Sequence, residues 1–317
     1  MNGAPRLADI LAARERIREV AVRTPLVESP ALSERFGRDV YLKLECFQPT
    51  KVFKIRGAYN KISQLSSESV VAASSGNHGM AVAYSSRLLG KKCTVVVPET
   101  AVLEKVKTIA EFGAEVVKFG RYSGQRESKA REIAAATGAA FVPPFNDPDV
   151  IAGQGTCGLE ITEQLKEFDS VIVPVGGGGL ISGISIAVKS LSPSSRVFSV
   201  EPQGAAKLSS SLKEGRIVTI ESPSSVADGL IPNGVGEIGF EICRENVDGS
   251  FEVTDEQIVS AVGLLMREAH VFAEPSGAAP VAALLAGQDL DRLGRRVVCV
   301  ISGGNVSLDL LKKVLAG

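Results

Sequence analysis

Short apolar runs alternating with stretches of helical period constrain this chain more than any other feature. "SVVAAS" (69–74) precedes "GMAVAYSSRLLG" (79–90), "CTVVVP" (93–98) precedes "AVLEKVKTIAEFG" (101–113), and "AEVVKF" (114–119) precedes "SGQRESKAREIAAATG" (123–138). The rhythm returns at "SVIVPV" (170–175) with "LISGISIAVKSL" (180–191), then at "RVFSVEP" (196–202) and "RVVCVISGG" (296–304). Buried strands that alternate with helices ending at Gly imply an α/β fold with a parallel sheet wound on both faces. The 317 residues exceed one usual core, which points to two domains. Between the blocks lies "FVPPFNDPDVIAGQG" (141–155), where Pro143, Pro144 and Pro148 are expected to stop regular structure at a crossing. Two doubly wound, three-layer domains follow: a smaller one at 69–146, and a larger one from 1–68 and 147–317.

Composition excludes several classes. A formal net charge of -1, with 22% charged and 44% hydrophobic residues, offers no electrostatic case for nucleic acid or an anionic membrane. The opening stretch "MNGAPRLADILAARERIREV" reads as a surface helix, and no apolar run reaches membrane-spanning length, so a soluble, cytoplasmic protein is expected. Cys46, Cys93, Cys157, Cys243 and Cys299 are odd in number and scattered, which fits a reduced compartment. His78 and His270 have no metal-like spacing, so neither a histidine metal site nor a Ser-His-Asp triad is expected.

Gly176, Gly177, Gly178 and Gly179 stand between a strand-like and a helix-like run. Such a turn lets backbone N–H groups converge on an anion at the helix N-terminus, which points to a phosphate. Glu201 stands where a ribose-binding acid would sit, yet G-x-G-x-x-G would need Gly at Ile181 or Ser182, so no nicotinamide fingerprint is present. Walker A fails too, since no G-K-[ST] follows. A phosphate on a cofactor that is not a nucleotide suggests pyridoxal phosphate, which requires a lysine. Lys54 in "QPTKVFKIRGAYNKI" (48–62) follows the strand-like "VYLKLE" (40–45) and adjoins Phe53, where desolvation would lower an amine pKa. Lys51 and Lys61 read as solvated surface charges. In "AASSGNHGMAVAY" (72–84), Ser74, Ser75, Gly76, Asn77 and His78 are candidates for binding a substrate carboxylate. Ser74 or Ser75 as a plain N-cap is the simpler alternative.

These residues together resemble a family. Phe53 to Ala58, Ser74 to His78, "VIAGQGT" (150–156), Gly176 to Gly179, "VADG" (226–229), "EPSGA" (274–278) and "SGGN" (302–305) follow one another as in the threonine dehydratase and serine racemase group of fold-type II pyridoxal phosphate enzymes. The resemblance spans nearly the whole chain. It implies that Lys54 is the Schiff-base lysine and takes the α-proton, with Phe53 beside the cofactor ring. Gly176 to Gly179, with Leu180, would form the phosphate cup. Asn77 would meet the cofactor's 3'-oxygen and Ser302 its pyridine nitrogen. A neutral Ser302 would leave that nitrogen unprotonated, which suits β-elimination. Ser75 matches the acid/base of the racemases, and Phe145 would line the substrate side. Arg126 and Glu127 resemble residues near the substrate entrance.

Two departures stand out. "TKVFK" (50–54) replaces the common "TGSFK", so Lys51 and Val52 alter the loop near the substrate. In "EPQGAAKL" (201–208), the family's divalent-cation site would use Glu201 and the Ala205 carbonyl, but Lys207 replaces the second acid. An ammonium paired with Glu201 is expected there in place of a metal. The chain ends soon after Ser302, with no room for the regulatory domain of biosynthetic threonine dehydratases, so isoleucine feedback through one is not expected.

The implied activity is dehydration of L-threonine or L-serine to a 2-oxo acid and ammonia, by a homodimer. Racemisation through Lys54 and Ser75, dehydration of a larger substrate such as hydroxyaspartate or an arylserine, and a catalytically silent amino-acid sensor are the alternatives.

Overall fold

The computed structural model describes residues 3–316 apart from Ser75, Val102 and Tyr122. Among these, the strands in chain order are β1 (Leu26–Glu28), β2 (Asp39–Leu44), β3 (Ser69–Ala73), β4 (Lys92–Val97), β5 (Glu115–Lys118), β6 (Ala140–Phe141), β7 (Ser170–Pro174), β8 (Arg196–Pro202), β9 (Gly249–Val253) and β10 (Arg296–Ile301). They form a six-stranded sheet, ordered β1-β2-β10-β7-β8-β9, and a four-stranded sheet, ordered β5-β4-β3-β6. Each pair is parallel except β1 with β2. The chain is an α/β protein with two separate sheets.

The apolar runs become strands because both faces of each sheet are covered. Side chains alternate across the larger sheet. Ile172, Val297, Cys299 and Ile301 enter one core with Ile258, Val262 and Ala282. Val171, Val173, Val298 and Val300 enter the opposite core with Ile181, Ile184 and Val188. The smaller sheet has its own interior, in which Val70, Ala72, Val95 and Val97 meet Ala81, Val82 and Ile109.

Three helices cross at backbone contact. A Cβ on Gly153 would lie 2.5 Å from the Arg56 carbonyl, and one on Gly183 would lie 2.4 Å from the Gly155 nitrogen. Helix Pro148–Gln164 thereby touches both helix Lys54–Ile62 and helix Gly179–Leu191. It fixes the segments that begin at Lys54 and at the glycine turn.

Two expectations need correction. Pro148 does not stop regular structure; it opens a 17-residue helix whose first amides are capped by Asp147, because the missing N–H of Pro costs nothing in a first turn. Lys61 is not a free surface charge either: its Nζ pairs with Asp147 at 2.8 Å and Asp149 at 3.0 Å. The opening helix, Leu7–Ile17, buries Ile10, Ala13 and Ile17, and the first two pack with Ala152, Leu159 and Ala187.

Candidate active site

The candidate residues gather beyond the carboxyl ends of the parallel strands, where open α/β sheets bind ligands. Ser74 follows β3, Phe145 follows β6, the glycine turn follows β7 and Ser302 follows β10. Lys54 comes after β2 and a short 3-10 turn, and opens its own helix.

The Phe53 amide donates to the Ser302 carbonyl at 3.0 Å, which ties the start of the lysine helix to the end of β10. Lys54 Nζ donates to the Pro144 carbonyl at 2.7 Å and lies 5.2 Å from the centre of the Phe53 ring. Burial alone lowers its pKa to about 8. His78 is buried, and its Nε2 donates to the Val142 carbonyl at 3.0 Å, which fixes the proton on that nitrogen. Burial, with the Lys54 charge second, lowers the His78 pKa to about 3, so the imidazole is neutral.

The glycine turn is bare because its neighbours occupy the space side chains would take. A Cβ on Gly177 would fall 2.1 Å from the Phe145 ring, and one on Gly176 would fall 2.6 Å from the Gly229 carbonyl. Gly178 caps helix Gly179–Leu191 with φ +93°, a conformation open to glycine. Leu180 is buried in the first turn of that helix. Free amides at this helix start fit a phosphate, and the low-pKa amine of Lys54 fits a carbonyl-bearing cofactor.

On the smaller sheet, Ser74 Oγ accepts from the Gly76 amide at 3.2 Å, and Gly76 is the N-cap residue of helix Asn77–Leu88. Ser74 is therefore not that helix's N-cap. Ser75 lies outside the described residues. Asn77 Nδ2 donates to Glu274 Oε1 at 2.7 Å, and Asn77 Oδ1 accepts from Asn305 Nδ2 at 2.8 Å. Glu274 is buried, and burial, with the Asp228 charge, raises its pKa to about 7. Arg126 donates to the Arg121 carbonyl at 3.0 Å, while Glu127 pairs with Arg131 on the surface. Lys51 is exposed and holds φ +58°.

Several partners of these residues carry no role in the sequence reading. "EPSGA" was recognised without a role for Glu274, although an acid opening an otherwise uncharged helix was a usable signal. Asn305 was legible only as part of "SGGN". Asn146 was passed over; its Oδ1 accepts from the Ile238 amide at 3.1 Å and ties the loop after β6 to helix Glu237–Asn246.

The family model for pyridoxal-phosphate dependent enzymes matches residues 17–303. The chain is 43% identical to L-threonine ammonia-lyase of Thermotoga maritima, over 98% of this chain and 78% of that protein. It is 41% identical to L-threo-3-hydroxyaspartate ammonia-lyase of Saccharomyces cerevisiae, over 99% of this chain and 97% of that one. The solved structure of maize serine racemase superposes with a TM-score of 0.94 at 36% identity, covering 99% of this chain and 97% of that one. A low-pKa lysine and a bare glycine turn at the strand ends agree with that match, and the chain belongs to the family of pyridoxal-phosphate dependent enzymes.

Proposed function

We propose that this protein is a hydroxy-amino-acid ammonia-lyase that converts L-serine or L-threonine to the 2-oxo acid and ammonia. One observation carries the reading: the Lys54 amine, its pKa lowered to about 8, opens its helix at the strand ends where the bare turn Gly176–Gly179 also begins a helix.

In this reading the amides of Gly176 to Gly179, with Leu180 behind them, hold the phosphate. Phe53 would lie beside the cofactor ring, Asn77 would hold the 3'-oxygen and Ser302 the pyridine nitrogen. Bound there, pyridoxal phosphate supplies an electron sink that acidifies the substrate α-carbon. Lys54 Nζ would hold the cofactor and accept the substrate α-proton, a task suited to an amine whose pKa lies near the working pH. The loop Ser74–His78 receives the substrate carboxylate, with His78 neutral so that it adds no charge. Phe145 shields the substrate side from water. The net reaction is balanced: L-serine gives pyruvate and ammonia, and L-threonine gives 2-oxobutanoate and ammonia.

Residues 69–146 form the small domain, and 1–68 with 147–317 the large one; the two separate sheets support this division. The protein acts as a homodimer, on the strength of the family resemblance, with sedimentation velocity as its test. A reduced, cytoplasmic setting is supported by five free and buried cysteines. No helix among the described residues is long and apolar enough to cross a membrane.

The test is incubation of the purified protein with L-serine, L-threonine and L-threo-3-hydroxyaspartate, following 2-oxo acid and chirality together. Rapid 2-oxo acid without D-isomer is the expected result. D-serine appearing faster than pyruvate would make the protein a racemase, with Ser75 as the second acid/base. Oxaloacetate formed only from hydroxyaspartate would move the substrate class.

A further inference from the structure

Lys207 is a charged residue with no solvent exposure and no place in the chemistry described so far. It opens helix Lys207–Glu214 and points its Nζ into a cage of oxygens. The carbonyls of Ala205 and Leu230 lie at 2.9 Å, and the Val175 carbonyl and Glu201 Oε1 lie at 3.1 Å. Four acceptors around one nitrogen leave no room for an amine lone pair, so this geometry requires the protonated ammonium with its three donors. Burial pulls the Lys207 pKa down, and the Glu201 charge and hydrogen bond pull it back. Glu201 is itself held: Oε1 accepts the Leu208 amide at 3.0 Å and Oε2 the Ser209 amide at 2.8 Å.

The cage joins the two walls of the glycine turn. Val175 is the residue before Gly176, and Leu230 follows Gly229, whose carbonyl would meet a Cβ on Gly176 at 2.6 Å. One ammonium therefore fixes the strand end that launches the turn and the loop that closes over it.

The divalent cation implied by the family resemblance does not fit here. Its oxygen ligands would need to close to roughly 2.0–2.6 Å around a centre that Lys207 already fills with a like charge. We propose that Lys207 is a covalently tethered replacement for a structural cation, a positioning residue that shapes the phosphate-binding turn without any dissociable ion. This rests on the pyridoxal-phosphate reading.

The test compares wild-type protein with Lys207→Met and Lys207→Asp, each with EDTA and then with millimolar Mg2+ or Ca2+. Thermal midpoint and the dissociation constant for pyridoxal phosphate are read in every arm. The wild type is expected to respond to neither chelation nor ions. Lys207→Met should bind cofactor at least about tenfold more weakly, with no recovery by either ion, because a linked site is lost rather than emptied. Lys207→Asp should be weak in EDTA and regain both melting temperature and affinity on adding ion, which a merely space-filling lysine would not predict. A wild-type midpoint or affinity that falls with EDTA, or rises with either ion, overturns the proposal. So does a folded Lys207→Met with wild-type cofactor affinity. Should neither variant fold, the wild-type response to chelation and ions decides. The melting arms also run on apoprotein, so failure of the cofactor reading shows separately, as a wild type that takes up no pyridoxal phosphate.

Discussion

At pH 7 most Lys54 side chains in the apoprotein are protonated, because the pKa of about 8 lies one unit higher. Only the neutral amine attacks a carbonyl, so the rate of cofactor uptake should rise between pH 7 and pH 9 with a midpoint near 8. Stopped-flow absorbance of apoprotein mixed with pyridoxal phosphate measures this. A midpoint near the ordinary 10.5 would mean the amine is not desolvated. Glu274 makes an opposite demand. An unfolded carboxyl ionises near 4.5, while the folded one keeps its proton to about 7. Between these values the unfolded state loses its proton first, so this group's contribution to apoprotein stability falls as pH rises, by at most about 3 kcal/mol. Glu274→Gln keeps the acceptor for Asn77 and removes the titration. Its melting temperature should exceed the wild type's above pH 7 and converge with it as the pH falls toward 5. Parallel melting curves across that range would sink the assignment.

The elements that carry these residues are held by close backbone approach. Gly177→Ala would drive a methyl into the Phe145 ring, an overpacking that costs about 1–3 kcal/mol and displaces the ring or the turn. Cofactor affinity should fall in Gly177→Ala and return in part when Phe145→Ala opens the space. The double-mutant cycle for cofactor affinity checks that coupling. Gly176→Ala meets a carbonyl instead of a side chain, so Phe145→Ala should not rescue it. The glycine run was legible because four bare residues between a strand and a helix have few uses. The strands at 69, 92, 115, 170, 196 and 296 were legible because both sheet faces demand apolar residues. The short edges were not. β1 has three residues, β6 has two, and β9 exposes part of its surface, so none carries a long apolar run. Pro148 misled because a proline reads the same at a helix start as at a break. Ser182 and Ile181 excluded the nicotinamide motif from spacing alone. Nothing in the spacing shows that Phe145 would lie on Gly177.

Across the whole molecule, the least legible feature is a set of buried charges. Lys43 reads as a strand residue, yet it is fully buried and its Nζ donates to Glu160 Oε2 at 2.6 Å, from 117 residues away. Arg56 donates to Glu45 through Nε and to Glu160 through Nη1, both at 2.7 Å. Burial works to raise the Glu45 pKa, but the charge and hydrogen bond of Arg56 bring it below the ordinary value. Two cations and two carboxylates thus balance inside the protein, joining β2, the turn after it, the lysine helix and helix Pro148–Gln164. The net worth of such a set against an apolar core is small, but removing one member strands its partners. Glu160→Gln should therefore cost about 3–5 kcal/mol, with Arg56 and Lys43 both underpaired. For a chain of this size that lowers the melting temperature by roughly 4–8 °C. Glu163 gives the contrast one turn along the same helix. It pairs with Arg14 and Arg23 on the surface, where side chains are 36–56% exposed, and such pairs contribute at most about 1 kcal/mol. Glu163→Gln should leave the melting temperature within roughly 2 °C of wild type. Equal shifts for the two variants would mean that the buried set is solvated in solution. The lysine helix would then owe its position to the glycine contacts with helix Pro148–Gln164 rather than to charge.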